Sequence, residues 1–242
     1  MSAETPGPRR SNYSSMPVAY AAIGASSAPD LLRFPPAEST PYEETLQLGS
    51  GTERFLTAAN LLMTWGAQRV AGVEVVDIDP GEPSEYPGVH FTETGTPELG
   101  AAREELFTPE GEAYLLAGTT ASFVVGSKDP RRILVVTTVN ESNRLGFAWG
   151  DRDEVAGYGE QQLTVEIRED STVWAVARGF TFQSSTGITA GLKQRAHVKE
   201  AVAQAQAFLQ ALAPGAALRN GVAKPADEPD ENDQSADDQP SA

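Results

Sequence analysis

The sequence predicts an α+β fold: an antiparallel β meander, a helix after the first strand, and a long C-terminal helix packed on the sheet. Three observations carry this. Five β-type runs follow one another between residues 119 and 182 with only short turns between them, and short turns join antiparallel neighbours. Residues 192–212 place Val198, Ala201, Val202, Ala205, Phe208, Leu209 and Leu212 on one helical stripe. A chain of 242 residues, 40% of them hydrophobic, is long enough to bury one sizeable core.

Taken in order, Val18 to Ile23 reads as a short opening strand that ends at Gly24. Pro29, Pro35, Pro36 and Pro41 then mark an irregular, extended connection. Ser50 with Glu53 three positions on matches a capping box. Phe55, Ala58, Ala59, Leu62 and Trp65 repeat at helical spacing after it, predicting a helix over about 52–65. Val70 to Val76 is short and β-branched, as a strand leaving that helix would be. Residues 77–112 hold Pro80, Pro83, Pro87, Pro97 and Pro109 and read as a surface excursion, with at most one short helix near 97–106. The β runs follow at about 119–126, 132–139, 144–149, 160–168 and 172–182, and Pro214-Gly215 ends the last helix.

The domain organisation that results is a flexible arm over 1–17, a single domain over 18–213, and a disordered acidic tail over 214–242. The formal charge is −16. Residues 77–112 carry ten acidic side chains and one basic one, residues 221–242 seven and one, so the remainder is close to neutral. The acid therefore belongs to two appendages and not to a binding face of the core. It opposes nucleic acid and anionic membrane surfaces, and no basic patch offsets it. No run approaches the 18 apolar residues of a membrane span, and no signal peptide is visible, so a cytoplasmic location is the expectation. The absence of cysteine excludes a thiol nucleophile, a disulfide framework, a zinc ribbon and an iron–sulfur cluster.

Candidate sites are sparse. Gly49-Ser50-Gly51 ahead of a helix can approach a phosphate, but it lacks a P-loop lysine and serves equally as a turn and cap. Asp151, Asp153 and Glu154 cluster in a glycine-containing loop, with Arg152 among them and no calcium-loop spacing. His90 and His197 read as surface residues. No nucleophile–base pair, metal set or cofactor motif stands out, so neither catalytic residues nor a metal nor a cofactor is expected. The most informative polar pair is Glu160, opening one strand, and Arg178, which interrupts the row Trp174, Val176, Phe180, Phe182 in the next. A buried arginine needs an anionic partner or a wet cavity; Arg178 is open to three readings: a surface stem, an internal ion pair, or a ligand contact.

With these landmarks placed, the chain resembles the domain of unknown function nineteen-ninety family of bacterial and plant proteins. Four segments carry the resemblance: Tyr20-Ala21-Ala22-Ile23-Gly24-Ala25-Ser26; Leu48-Gly49-Ser50-Gly51 through Trp65 to Ala71-Gly72-Val73; Arg144 to Gly150 followed by Gly159-Glu160; and Val173 to Thr181. In the family the loop before the Gly-Glu pair typically carries a histidine, where this chain has Val155. The serine, arginine and proline after the last strand's phenylalanine are likewise replaced, by Thr181, Phe182 and Gln183. The resemblance implies a fold and no established activity.

If the sheet curves around the last helix, the fold is of the helix-grip kind by analogy, with a cavity lined by Trp149, Trp174, Phe180, Phe182 and Phe208. The same aromatics can fill a core. The leading expectation is non-enzymatic binding of a small, largely apolar molecule between sheet and helix, with Arg178 or Glu160 orienting its polar group. The alternative is an interaction module whose acidic segments engage a basic protein.

Overall fold

The computed structural model describes residues 18–81, 89–91, 97–99, 107–109, 111–182 and 190–216. The arm over 1–17, most of the excursion and nearly all of the tail lie outside the described residues. In chain order the elements are β1 (Ser39–Ser50), α1 (Thr52–Met63), α2 (Gly66–Val70), β2 (Glu74–Asp79), β3 (Val89–Phe91) and β4 (Pro97–Leu99). They are followed by β5 (Thr120–Val124), β6 (Arg131–Glu141), β7 (Arg144–Asp151), β8 (Gly159–Ile167), β9 (Thr172–Phe182) and α3 (Ala190–Ala211). Seven strands form one sheet in the order β1-β9-β8-β7-β6-β5-β2, and β3 and β4 pair separately. All neighbouring strands are antiparallel.

The meander from β5 to β9 and the final helix follow the sequence pattern within a few residues. Strand β8 shows why: Leu163 and Val165 are fully buried on the helix side, while Glu160, Gln162, Thr164 and Glu166 alternate onto the other face. Helices α1, α2 and α3 all lie on one face, so the main core runs from Phe55, Leu62 and Trp65 through Phe147, Leu163 and Val165 to Phe208 and Leu212. Helix α3 crosses β1 and β9 in the manner of a helix-grip fold. Its stripe sinks progressively: Val198, Ala201 and Val202 are half-buried, Ala205, Phe208 and Leu209 buried.

The opening third departs from expectation. Residues 18–23 form no strand: a single backbone bond ties Ala19 N to Asp151 O, 2.9 Å, and the segment runs on into a 3-10 turn at Ala25–Ser27. The first strand is instead β1, within the stretch read as an irregular connection. Pro41 sits in it because β1 is an edge and one side of its ladder needs no donor. Its buried residues, Tyr42 and Leu48, are separated by Glu43, Glu44 and Gln47, which blurs the alternation.

The capping box does not form. Ser50 is still in β1, paired with Thr172, and the α1 N-cap is Gly51 at φ 90° with no side-chain cap bond. Gly51 N donates to Ser171 O at 2.9 Å, so that amide is already used. The strand expected over 70–76 begins only at Glu74, because Gly66–Val70 folds as α2. The short helix expected near 97–106 gives way to β4 at 97–99; residues 100–106 lie outside the described set.

Phe208 is fully buried against Trp149, ring centroids 6.0 Å apart, and so fastens α3 to the sheet. Phe208→Ala is expected to lower unfolding free energy by about 3–5 kcal/mol. Urea titration checks this, and a loss below about 1 kcal/mol, typical of a surface substitution, would mean that α3 docks by other contacts.

Candidate functional site

Strand alternation divides the six sequence candidates between two faces. Glu160, Trp174, Arg178, Phe180 and Phe182 lie on the face away from α3, whereas Trp149 lies on the helix side beside Phe208. They do not all line one cavity: Trp149, Glu160 and Phe180 border a small one, and Trp174, Arg178 and Phe182 do not. The period-2 reading of β9 separates its two rows correctly but carries no sign of which row the helix covers.

On the outer face Glu160 is 2% exposed, and its carboxylate accepts three hydrogen bonds. Tyr20 Oη and Gly24 N donate to Oε2 and Ser26 N donates to Oε1, each at 2.8 Å. Gly24, at φ 82°, turns the chain so that the Gly24 and Ser26 amides converge as an anion nest. Tyr20 packs edge-on to Phe180 at 5.7 Å and beside Phe182 at 5.9 Å. Beneath it, a Cβ on Gly150 would stand 1.9 Å from the phenol oxygen, so only glycine admits the ring there. Gln162 Nε2 donates to Ser27 Oγ at 2.7 Å and extends the seam. Burial, and then the Glu160 charge, push the Tyr20 phenol far above its ordinary value.

Arg178 takes the second of its three readings. Its Nε lies 2.7 Å from Glu43 Oε2 on β1, directly across the ladder, and Nη2 donates weakly to Pro29 O at 3.4 Å. Trp174 Nε1 donates to Thr172 Oγ1 at 2.9 Å, and its ring lies under the Arg168 guanidinium at 4.3 Å. These groups are occupied by structural partners.

On the helix face Asp151 accepts from Arg131 through both carboxylate oxygens and from Gly159 N at 2.8 Å, while Arg131 Nη2 also donates to Gly157 O at 3.2 Å. Burial opposes the Arg131 charge, but the Asp151 bonds outweigh it and hold the guanidinium's pKa above its ordinary value. Asp153 pairs with Arg132, Nε to Oδ2 2.8 Å. The loop's acidic cluster is thus directed at two different arginines. Between this ion pair and α3 is a cavity of only about 20 Å³, bounded by Tyr42, Trp149, Gln161 and Gln204, room for about one water. Gln161 Nε2 is buried beside it without a protein partner. Edge-to-face contacts from Trp65 through Phe123 and Phe147 to Trp149 and Phe208 fill the remaining interior. The space under α3 is a packed core.

The room lies elsewhere. Where α1 turns into α2, a pocket of about 260 Å³ opens between Trp65 and Arg69 on one side and Ile78, Pro80, Leu115 and Leu116 on the other. Trp65 occupies the left-handed region at φ 63°, a conformation that costs a bulky residue about 1 kcal/mol or more. The T-shaped contacts of its ring with Phe123 and Phe147, 5.5 and 5.1 Å, hold it there. Across the pocket, Leu115 N donates to Met63 O at 2.9 Å and Gly81 N to Thr119 Oγ1 at 3.0 Å, stitching both walls to the core. Sequence reasoning placed Trp65 at the end of a helix and passed over Arg69, Tyr114 and Leu116. No motif marks them, because they converge from two distant segments.

Fold and geometry thus define an α+β protein with an antiparallel sheet, a filled helix-side core and a pocket at the α1–α2 corner. The chain belongs to the family described as a domain of unknown function (DUF1990), whose sequence profile matches residues 19–205. No curated protein matches it in sequence. Among solved structures it is similar to a hypothetical protein from Helicobacter pylori, at TM-score 0.45 and 13% identity, covering 76% of this chain and 92% of that one. It is also similar to Ara h 8.0201, at TM-score 0.39 and 8% identity, covering 72% and 97%.

Removing the Glu160 carboxylate strands three buried donors, so Glu160→Ala is expected to cost about 3 kcal/mol, with Glu160→Gln recovering part. Tyr20→Phe should cost about 1–2 kcal/mol near neutral pH. Because the folded state keeps the Tyr20 proton to higher pH than the unfolded chain, stability is full below about pH 10 and falls as pH rises beyond it. Tyr20→Phe should make that fall shallower, as urea unfolding at a series of alkaline pH values will show.

Proposed function

We propose that the protein binds a small, largely apolar molecule, without converting it, in the pocket at the α1–α2 corner. The observation that supports this is the contrast in volume: about 260 Å³ at the corner against about 20 Å³ between sheet and α3. An apolar cavity of about 150 Å³ already accepts benzene, so the corner pocket has room for a ring with a short substituent. The smaller cavity admits no such molecule. The expected ligand chemistry is therefore kept, and its place moves from beneath the C-terminal helix to the opposite end of the same core.

The pocket also has the composition of a ligand site, with aliphatic and aromatic walls and a few polar groups. Ile78 is exposed, and the walls are anchored to secondary structure by the Leu115 and Gly81 amide bonds. The reading that the acidic segments engage a basic protein has no comparable support, since those segments lie mostly outside the described residues.

Titration with 2-naphthol, followed by its fluorescence, is expected to show one saturable site. Ala113 is exposed at the pocket's edge, and Ala113→Trp should fill the space and weaken binding by about tenfold or more, about 1.4 kcal/mol. Equal binding by both proteins, or no saturable binding to either, would discard the corner as the site.

A further inference from the structure

We infer that the molecule bound at the α1–α2 corner carries a carboxylate at its polar end and pairs it with the Arg69 guanidinium; this rests on the pocket reading above. Arg69 lies one helical turn after Trp65, its backbone N–H donating to Trp65 O at 3.0 Å, so both residues address the same side of the corner. Of the polar groups around the pocket, most are already engaged. Thr64 Oγ1 donates to Asn60 O at 2.9 Å, Tyr114 Oη donates to Asn60 Oδ1, and Thr119 Oγ1 accepts from Gly81 N.

Arg69 is the exception. It commits one nitrogen, Nη1, to Thr64 O at 2.9 Å. The nearest carboxylate oxygen, on Glu112, stands 3.8 Å from that same nitrogen, beyond hydrogen-bond reach, on a side chain 58% exposed. A guanidinium has five N–H donors in a planar fork. Among the described residues no other group takes the remainder. An apolar pocket that ends in a half-exposed fork with unused donors fits a molecule with an apolar body and a planar, bidentate acceptor, which is a carboxylate. The counter-ion already nearby is loosely held and free to swing into water. The chain's overall charge of −16 does not concentrate anions around it, so selection must come from this local contact.

The test uses the full chain with two probes of matched shape, 3-phenylpropionate and 3-phenylpropan-1-ol, each followed by amide NMR shifts of pocket residues. The wild type is expected to bind the carboxylate about tenfold tighter than the alcohol. In Arg69→Gln the carboxylate should lose its roughly tenfold advantage over the alcohol, and Arg69→Lys should keep part of the preference because it keeps the charge. Amide spectra that match the wild type away from the pocket show that the variants are folded. Equal binding of both probes by the wild type, or a preference that survives in Arg69→Gln, overturns the carboxylate while leaving the pocket reading standing. If neither probe shifts pocket residues in the wild type, both readings are overturned.

Discussion

The Glu160 carboxylate, buried and with no ion-pair partner among the described residues, is the constraint around which the N-terminal third is arranged. A buried carboxylate persists only when its oxygens are saturated with donors, and here the donors are a phenol and two backbone amides brought from 134 to 140 residues away. This single requirement accounts for several residues at once. Tyr20 must reach it, Gly24 must adopt a left-handed turn to present amides, and Gly150 must leave space for the Tyr20 ring. Two of the segments that resemble the family, the one from Tyr20 to Ser26 and the one ending in Gly159-Glu160, are therefore the two halves of one contact.

That contact also answers what residues 18–31 do in place of a strand. The Gly24 and Ser26 amides are drawn to a side chain and Ala19 N alone reaches a strand, so Val18, Tyr20, Ile23 and Leu31 can turn toward the sheet and cover Phe180, Leu134 and Val136. The outer face of the sheet is thus closed by irregular chain, and the inner face by helices. A sheet covered on both faces has strands with few wet positions, which is why β7 is buried from Leu145 to Asp151.

The parts legible in the sequence are those where one local rule dominates. Strands β5 to β9 alternate or run apolar between turn residues, and α1 and α3 carry apolar stripes at helical spacing, so each announced itself. Strand β1 did not, because Pro41 and the adjacent Glu43 and Glu44 conceal an edge strand whose outward row is charged to meet Arg178. The capping box at Ser50 failed for a related reason: the ladder to β9 claims Ser50 as a strand residue, leaving Gly51 to open the helix. Tertiary pairing overrides a local motif in both cases. The site was less legible still. A row of residues on one strand shows that they share a face, but which face the helix covers depends on where the chain goes next, and that separated Trp149 from Trp174, Phe180 and Phe182.

The same logic explains why there is more room at the α1–α2 corner than beneath α3. Beneath α3 the aromatic rings interlock through edge contacts, and the polar end of that space is taken up by the Arg131–Asp151 pair with its bonds to Gly157 and Gly159. A helix laid along such a surface leaves gaps no larger than a water. At the α1–α2 corner the backbone reverses through Trp65 in the left-handed region, and a helix that stops and restarts cannot stay parallel to the sheet it covers. The ring of Trp65 and the α2 residues Ala67 and Val70 stay in the core, while Arg69 faces outward, and Ile78, Leu115 and Leu116 line the space beside it. Packing elsewhere is continuous because the elements are long. The pocket lies where a five-residue helix follows α1, and the strained residue that joins them forms its wall.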